Sequence, residues 1–200
     1  MSPGRGDGEP ALDRAAAVRV ALRRLVAQHG FHGASMSAVA AEAGVATGTA
    51  YVHYRSKDDL VLAAYVEVKR DLGHAAVARL DPARPVPEQF RSLWRAVHDH
   101  LDADRDRARF LVQVEASPYV TQAHTAALEA PDDPLLAAIA GSDLGRRLAP
   151  LPMTVLYDLG IGPAVRLAAS STVLPPAELD AVADACWRAI SLDPGDGDRP

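Results

Sequence analysis

The sequence has a single cysteine, few aromatic residues and no long apolar run. Cys186 alone cannot form a disulfide or a thiolate zinc site within one chain. A membrane-spanning helix needs about 18 uninterrupted apolar residues. No such stretch occurs, because even the alanine-rich segments carry Arg, Asp or Glu every few positions. No apolar run follows Arg5 either, so we expect no secretion signal and a cytoplasmic location.

The sequence also lacks the regular alternation of apolar and polar residues that a half-buried strand needs. It has instead 39 alanines, together with frequent leucine and arginine. These side chains lose little conformational freedom in a helix. We therefore predict an all-α fold. Residues 1–10 and 193–200 are rich in glycine, proline and charge, and are predicted to be disordered tails.

Motifs for catalysis and for cofactor binding are absent as well. The chain has no nucleophile elbow, no run of metal ligands and no glycine-rich phosphate loop. His98 and His100 are two residues apart, which places them on different faces of a helix and argues against a shared metal. We predict that the protein is not an enzyme and holds neither a metal nor another cofactor.

The net charge of −5 is unevenly distributed along the chain. From Pro10 to Lys57 there are six basic side chains against two acidic ones, whereas from His74 onward there are twelve against eighteen. A polyanion is attracted to the first region and repelled by the second. The charge pattern therefore indicates two parts with different tasks.

Glycine and serine residues occur at short intervals in the basic region, at positions where helices end or begin. Gly30 ends a first amphipathic helix, and Ser35 and Ser56 stand where hydroxyl groups cap later helices. The predicted helices of this region cover residues 11–29, 36–43, 47–54 and 57–72. Further helices are predicted over about 87–102, 104–115, 121–129, 134–148, 152–171 and 176–191, with a kink or a start at Gly162-Pro163.

The second and third helices are too short to be stable alone and must pack on a neighbour. Between them, Gly44 can adopt the positive φ that reverses the chain. Ala40 is small where the next helix crosses, and Val45 and Ala50 face inward with Val39, Phe31 and Tyr54. This arrangement predicts a helix-turn-helix.

The residues of this region resemble the DNA-binding domain of TetR-type transcriptional regulators. The most specific elements are A-G-V at 43–45, G-T-A-Y-V-H-Y at 48–54 and S-K-D-D-L at 56–60. The resemblance implies that the third helix enters the major groove of DNA. By position it implies DNA contacts from Ser35, Ala46, Thr47, Gly48, Thr49, Tyr51, Val52, His53 and Lys57.

Two positions depart from the family pattern. Ala46 stands where the family often has Ser, and Thr47 where Lys or Arg is common. Fewer charged side chains can then read bases, so readout is expected to use Thr47, the apolar Val52 and water. Tyr51 and His53 can donate hydrogen bonds to phosphates, and Gly48 allows close approach of the backbone.

The resemblance further implies a ligand-binding and dimerisation domain over 74–192, after a DNA-binding domain over 11–56 and a connecting helix over 57–73. Apolar and polar side chains that could line a ligand pocket are Trp94, His98, Phe110, Tyr119, His124, Leu128, Met153 and Tyr157. Sequence does not separate any of them from ordinary core residues, and for each one taken singly core packing is the favoured interpretation.

A helix-turn-helix monomer covers half of a typical operator, so a homodimer is expected. Candidate interface residues, which the family implies on the last two helices, are Gly160, Ala164, Ala168, Leu179, Val182, Cys186, Ala189 and Ile190. The alternative is that both stripes face the core of the protomer itself.

The function these observations predict is a transcriptional regulator that binds double-stranded DNA as a homodimer. A repressor released from a palindromic operator by a small molecule is the leading form, and an activator is the other. The alternative class is a helical ligand-binding or scaffold protein with degenerate DNA recognition, since Ala46 and Thr47 weaken the usual pattern.

Overall fold

The computed structural model describes residues 9–130 and 133–192. These ranges consist of helices and the loops that connect them. The predicted all-α fold is confirmed. The helices are α1 (Glu9–Gly33), α2 (Met36–Glu42), α3 (Thr47–His53), α4 (Lys57–Ala78), α5 (Val86–Asp102), α6 (Arg105–Glu115), α7 (Val120–Glu129), α8 (Pro134–Ile139), α9 (Asp143–Arg146), α10 (Met153–Gly160), α11 (Gly162–Ala169) and α12 (Pro176–Ile190). Within the described ranges no helix is long and apolar enough to span a bilayer.

The predicted serine caps of α2 and α4 are confirmed. The Ser35 hydroxyl accepts a hydrogen bond from the backbone N–H of Ala38 at 3.2 Å, and the Ser56 hydroxyl accepts one from Asp59 at 3.0 Å. Each bond satisfies a donor that the first helical turn leaves free. Gly44 reverses the chain between α2 and α3 with a φ of 68°. Local side-chain chemistry thus sets the limits of the helix-turn-helix.

Several helix limits differ from the predicted ones. α1 begins at Glu9, two residues inside the predicted tail, whereas the tail predictions for residues 1–8 and 193–200 lie outside the described residues. α4 continues to Ala78, past the predicted connecting helix at 57–73, because Leu72 and Ala76 extend its buried face. The predicted helices at 134–148 and 152–171 are each divided, at Gly141 and at Ile161 before Pro163.

One continuous core extends through both parts of the molecule. α4 packs against α1 at one end and against α5, α7 and α8 along the rest of its length. Its buried residues include Leu60 near the start, Tyr65 in the middle and Leu72 in the second half. α4 therefore connects the helix-turn-helix directly to the larger helical domain.

Candidate DNA-binding surface and internal cavity

The helix-turn-helix is held by a small set of buried side chains. Val39 and Ala40 of α2 and Ala50 of α3 have no solvent exposure, and the backbone N–H of Val45 donates to the carbonyl of Ala40 at 2.9 Å. α2 and α3 have seven residues each, so their stability depends on this packing. Because Ala50 faces the core, the opposite side of α3 faces solvent.

The outward side of α3 carries four of the predicted DNA contacts. Thr47, Gly48, Tyr51 and Val52 are exposed, and their spacing places them on one face of the helix. Val52 is 82% exposed and Tyr51 is 51% exposed, so neither side chain serves the core. An exposed valine can contact a thymine methyl group, and a phenol can donate to a phosphate.

The other predicted contacts lie around this face. Ser35 and Ala46 are exposed, and Thr49 and His53 are half-buried at its edges. Lys57 is directed elsewhere: its Nζ donates to the carbonyl oxygen of Phe31 and lies 5.9 Å from the centroid of that ring. Burial lowers the pKa of Lys57. The lysine thus connects the start of α4 to the end of α1.

Arg55, a basic residue beside α3, was not among the DNA contacts predicted from the sequence. Arg55 follows α3 directly, is exposed, and forms no ion pair in the part of the chain that the structure describes. Arg19 and Arg23 belong to the same basic region, but both form ion pairs with Glu67. The position of Arg55 in the sequence, between α3 and the cap of α4, could have indicated a phosphate contact. Arg55 is therefore a further candidate for phosphate contact.

A charged cluster joins α1, α4 and the end of α3. The Glu67 carboxylate accepts from Arg19 at 2.6 and 2.9 Å and also pairs with Arg23. Arg19 in addition donates to the Tyr54 hydroxyl at 2.6 Å, and that hydroxyl donates to the carbonyl of Ala15 at 3.2 Å. Burial alone would raise the pKa of Glu67, but the hydrogen bonds and charges of the two arginines hold it below the usual range.

A second contact joins the helix-turn-helix to the larger domain. The Tyr119 hydroxyl donates to Asp58 Oδ1 at 2.9 Å, and the Tyr119 ring lies 4.9 Å from that of Phe31. Tyr119 directly precedes α7, whereas Asp58 is in the first turn of α4. Tyr119, predicted as a pocket residue, thus lies between the two parts of the molecule.

The larger domain contains a cavity of about 150 Å³ that opens to solvent, mainly between α4, α5, α7, α8 and α10. Four of the eight predicted pocket residues line it, namely His124, Leu128, Met153 and Tyr157. Leu128 and Met153 are also about half exposed, which places them at its mouth. The cavity is almost entirely apolar, with a few polar groups among its lining residues. Such a lining is typical of small-molecule sites.

The other predicted pocket residues lie outside the cavity wall. Trp94 is buried, donates from its indole Nε1 to the carbonyl of Gly160 at 3.1 Å, and stacks on His98. Phe110 is fully buried in the core. Tyr119 makes the contact with Asp58 described above. Sequence alone does not separate these aromatic residues from those at the cavity, because both groups are enclosed.

Most of the predicted interface residues pack inside the protomer. Six of the eight are buried there, which is the second of the two sequence interpretations: Gly160, Ala164, Ala168, Leu179, Cys186 and Ile190. A Cβ added at Gly160 would lie 2.9 Å from Cδ1 of Ile190, so this glycine permits contact between α10 and α12. Val182 is half-buried and Ala189 is exposed.

Two other sets of apolar side chains, one on α10 and one on α12, are exposed to solvent. Val155 and Leu159 of α10 are exposed, as are Ala181, Ala185 and Ala189 of α12. α10 packs on α12 through its buried side. The spacing of four residues places each set along one side of its helix. We refer to these five residues as the α10–α12 face.

Comparison with known proteins agrees with this architecture. Residues 18–64 match the family model described as bacterial regulatory proteins, tetR family, and residues 85–191 match a tetracycline repressor-like C-terminal domain. An HTH-type transcriptional regulator of Haemophilus influenzae is 28% identical over 183 residues, which cover 89% of this chain and 96% of that protein.

Two further matches are consistent with the first. The crystal structure of a TetR-family transcriptional regulator from Haemophilus influenzae has a TM-score of 0.73 and 26% identity, covering 92% of this chain and all of that one. The fatty acid metabolism regulator protein of Bacillus subtilis is 27% identical over 77 residues, 34% of this chain and 40% of that protein.

Proposed function

The chain belongs to the TetR family of bacterial transcriptional regulators, and on that premise we propose that it is a homodimeric repressor that leaves a palindromic operator when a small molecule fills its cavity. It is a DNA-binding regulator and not an enzyme. The outward face of α3 carries the proposal, because it presents Thr47, Gly48, Tyr51 and Val52 to solvent from a buried support. A regulator of this kind acts where the chromosome is, which supports a cytoplasmic location.

On DNA, the residues of α3 have different tasks. Thr47 and Val52 face base edges in the major groove, where a hydroxyl and a methyl-contacting side chain distinguish base pairs. Tyr51 and His53 donate to phosphates and set the position of the helix without reading sequence. This division supports moderate specificity although the chain lacks the serine that the family often has at 46 and the charged side chain that is common at 47.

The substitution Gly48→Ala tests whether the backbone of α3 comes close to the DNA. A Cβ added at this glycine meets nothing within 4 Å, so Gly48→Ala leaves the fold intact. Alanine favours helix, and we expect the free energy of unfolding to rise by about 0.5–1 kcal/mol. The added methyl group would lie between α3 and the duplex, and we expect operator affinity to fall about tenfold, a loss near 1.4 kcal/mol. Urea unfolding and fluorescence anisotropy measure the two effects, and unchanged affinity would show that the backbone does not approach the DNA here.

A dimer is needed because two recognition helices must reach successive major grooves about 34–36 Å apart. The α10–α12 face is the proposed contact between protomers. It is apolar and exposed, unlike the six buried residues of the sequence prediction. Small alanines along α12 allow two helices to approach closely in a bundle.

The variant Ala185→Glu tests this interface. A carboxylate at the centre of the face would be desolvated between two protomers, at a cost that we expect to prevent association. Sedimentation should show a monomer, and operator affinity should fall about a hundredfold or more because each half-site is then bound singly. Thr125→Glu, on the exposed side of α7, is the matched control and should remain dimeric. A dimeric Ala185→Glu protein would contradict the proposed contact.

The cavity is connected to the DNA-binding surface by two routes. α4 lines the cavity with Tyr65 and Lys69, and its Glu67 holds the charged cluster at the end of α3. α7 lines it with His124, and Tyr119 just before α7 contacts Asp58. A ligand that prefers a different placement of α4 and α7 therefore shifts the spacing of the two recognition helices.

The proposed function is tested with the DNA upstream of the gene itself. Anisotropy titrations compare duplexes from that region with shuffled duplexes between about 50 and 200 mM salt. We expect a preference of at least about a thousandfold for one duplex, and a steep loss of affinity as salt rises. A folded dimer without preference for any duplex would favour the scaffold alternative.

A further inference from the structure

The cavity has an apolar body and a polar end. Its apolar walls include Leu72 of α4, Phe90 and Leu93 of α5, Leu135 of α8 and Leu156 of α10. The polar end is formed by Lys69 and Tyr65 of α4, His124 of α7 and Tyr157 of α10, with Asp133 near them. The ligand this arrangement fits is amphipathic.

Lys69 brings a cation into the wall of this cavity. Its Nζ lies 3.7 Å from the centroid of the Tyr157 ring. Burial lowers the pKa of Lys69 to about 8, while the charges of Asp133 and Glu115 oppose that shift, so most molecules carry the ammonium at neutral pH. Within the described ranges no carboxylate lies within 4.0 Å of Nζ. A buried ammonium of this kind is stabilised by a further anionic or acceptor group.

Tyr157 supplies a second donor at the same end. Its hydroxyl is buried and, among the described residues, has no hydrogen-bond partner. Burial raises the pKa of this phenol above its ordinary value of 10.0, so it remains protonated at physiological pH. A buried hydroxyl without an acceptor costs about 1–3 kcal/mol, which a bound acceptor would recover.

The two nearby carboxylates already have partners. Glu115 Oε1 accepts from His124 Nε2 at 2.9 Å and from the Tyr65 hydroxyl at 3.3 Å. Asp133 caps α8, where its Oδ1 accepts from the backbone N–H groups of Leu135 and Leu136 at 2.9 Å each. Neither carboxylate bonds to Lys69 or to the Tyr157 hydroxyl, so an acceptor group that enters the cavity can bind both donors.

Building on the proposed ligand-responsive function, we infer that the cavity binds an anionic amphiphile, namely a monocarboxylate with an aliphatic chain. The carboxylate accepts from the Lys69 ammonium and the Tyr157 hydroxyl, and the chain lies among the apolar walls. A volume of about 150 Å³ equals that of engineered cavities that take up benzene, so it holds about six carbons. Leu128 and Met153 at the mouth leave a longer chain room to extend.

Three probes with the same eight-carbon chain test the head group by calorimetry: octanoate, 1-octanol and octylamine. A charge-assisted hydrogen bond adds about tenfold or more over a neutral one. We therefore expect octanoate to bind about tenfold more tightly than 1-octanol, and octylamine to bind least. Equal affinities of octanoate and 1-octanol, or tightest binding of octylamine through Glu115 and Asp133, would overturn the inference.

Variants assign the effect to the two donors. Lys69→Met keeps a long side chain, removes a buried charge and should fold at least as stably as the wild type. It should remove the preference for octanoate while leaving 1-octanol affinity unchanged, and Tyr157→Phe should lower octanoate affinity about fivefold. Arg70→Met removes an exposed charge one residue away and should change neither affinity. Octanoate preference that survives Lys69→Met would contradict the assignment.

The two proposals fail in distinguishable ways. If the wild type binds one duplex specifically but does not prefer octanoate, only the ligand class is wrong. If octanoate binds through Lys69 but no duplex is preferred, the ligand class holds and the repressor function is wrong. Adding octanoate to the specific complex then measures whether the two sites are coupled.

Discussion

Replacing Tyr51 and His53 with alanine should lower operator affinity by about a hundredfold or more. Each side chain donates one hydrogen bond to a phosphate in the proposed complex, and a dimer carries four such bonds. At about 1 kcal/mol each, their loss approaches 4 kcal/mol if the contacts are independent. The loss should be similar for specific and shuffled duplexes, because phosphate contacts do not read sequence.

The double variant should fold and dimerise normally. Tyr51 is 51% exposed and His53 is half-buried at the edge of α3, so neither supports the core. Thermal unfolding and sedimentation check this, and Gln122→Ala with Thr125→Ala on the exposed side of α7 is the matched control. Operator affinity equal to that of the control pair would mean that the outward face of α3 is not the DNA-binding surface.

Replacing Glu67 with glutamine should reduce the free energy of unfolding by about 2–3 kcal/mol. Arg23 is only 6% exposed, and the substitution removes the carboxylate that neutralises it. Breaking a fully buried pair costs about 3–5 kcal/mol. We expect a smaller loss because the Glu67 side chain is 28% exposed. Glutamine keeps the shape and one acceptor for Arg19, so the effect isolates the charge.

The pH dependence of stability gives an independent check on Glu67. Its pKa in the folded protein lies below the ordinary value of 4.5 because the two arginines favour the carboxylate. The stabilisation of the folded protein by ionised Glu67 is therefore complete above pH 4.5, and it is lost as the pH falls through the pKa of Glu67 in the folded protein. Glu67→Gln should flatten this acid limb of the stability curve.

Glu42→Gln is the matched control for both measurements. Glu42 and Arg24 also form an ion pair, but at 3.9 Å and with both side chains well exposed. Exposed pairs contribute at most about 1 kcal/mol, so this variant should be close to the wild type. If Glu67→Gln were no less stable than Glu42→Gln, the cluster would not be what holds α4 to α1 and α3.

The helix-turn-helix could be predicted from sequence because its signals are local. Ser35, Gly44 and Ser56 act on backbone groups within three residues of themselves, and two short helices without other support must pack together. The inward positions Val39 and Ala50 follow from the way the two short helices of this motif must pack. The resemblance in 43–60 rests on the same short segment. Long-range information is not needed for any of these features.

The interface and the cavity required the three-dimensional structure. A stripe such as Gly160, Ala164 and Ala168 permits close helix packing but does not indicate which helix approaches, and here Ile190 of the same protomer lies against Gly160. Lys69 was missed, although Tyr65, Lys69 and Leu72 recur at helical spacing on a largely apolar side of α4. A lysine within an otherwise apolar side of a helix could have indicated a polar group in the cavity from the sequence.

Selection of bound duplexes from a random-sequence DNA pool tests the central claim most directly. The purified protein should enrich an inverted repeat whose half-sites lie about one helical turn, or a multiple of it, apart, because two copies of α3 are presented together. Thr47→Ala and Val52→Ala should change the preferred bases within each half-site, whereas Tyr51→Ala should weaken binding without changing them. A pool that stays unenriched after repeated rounds with folded, dimeric protein would contradict the account.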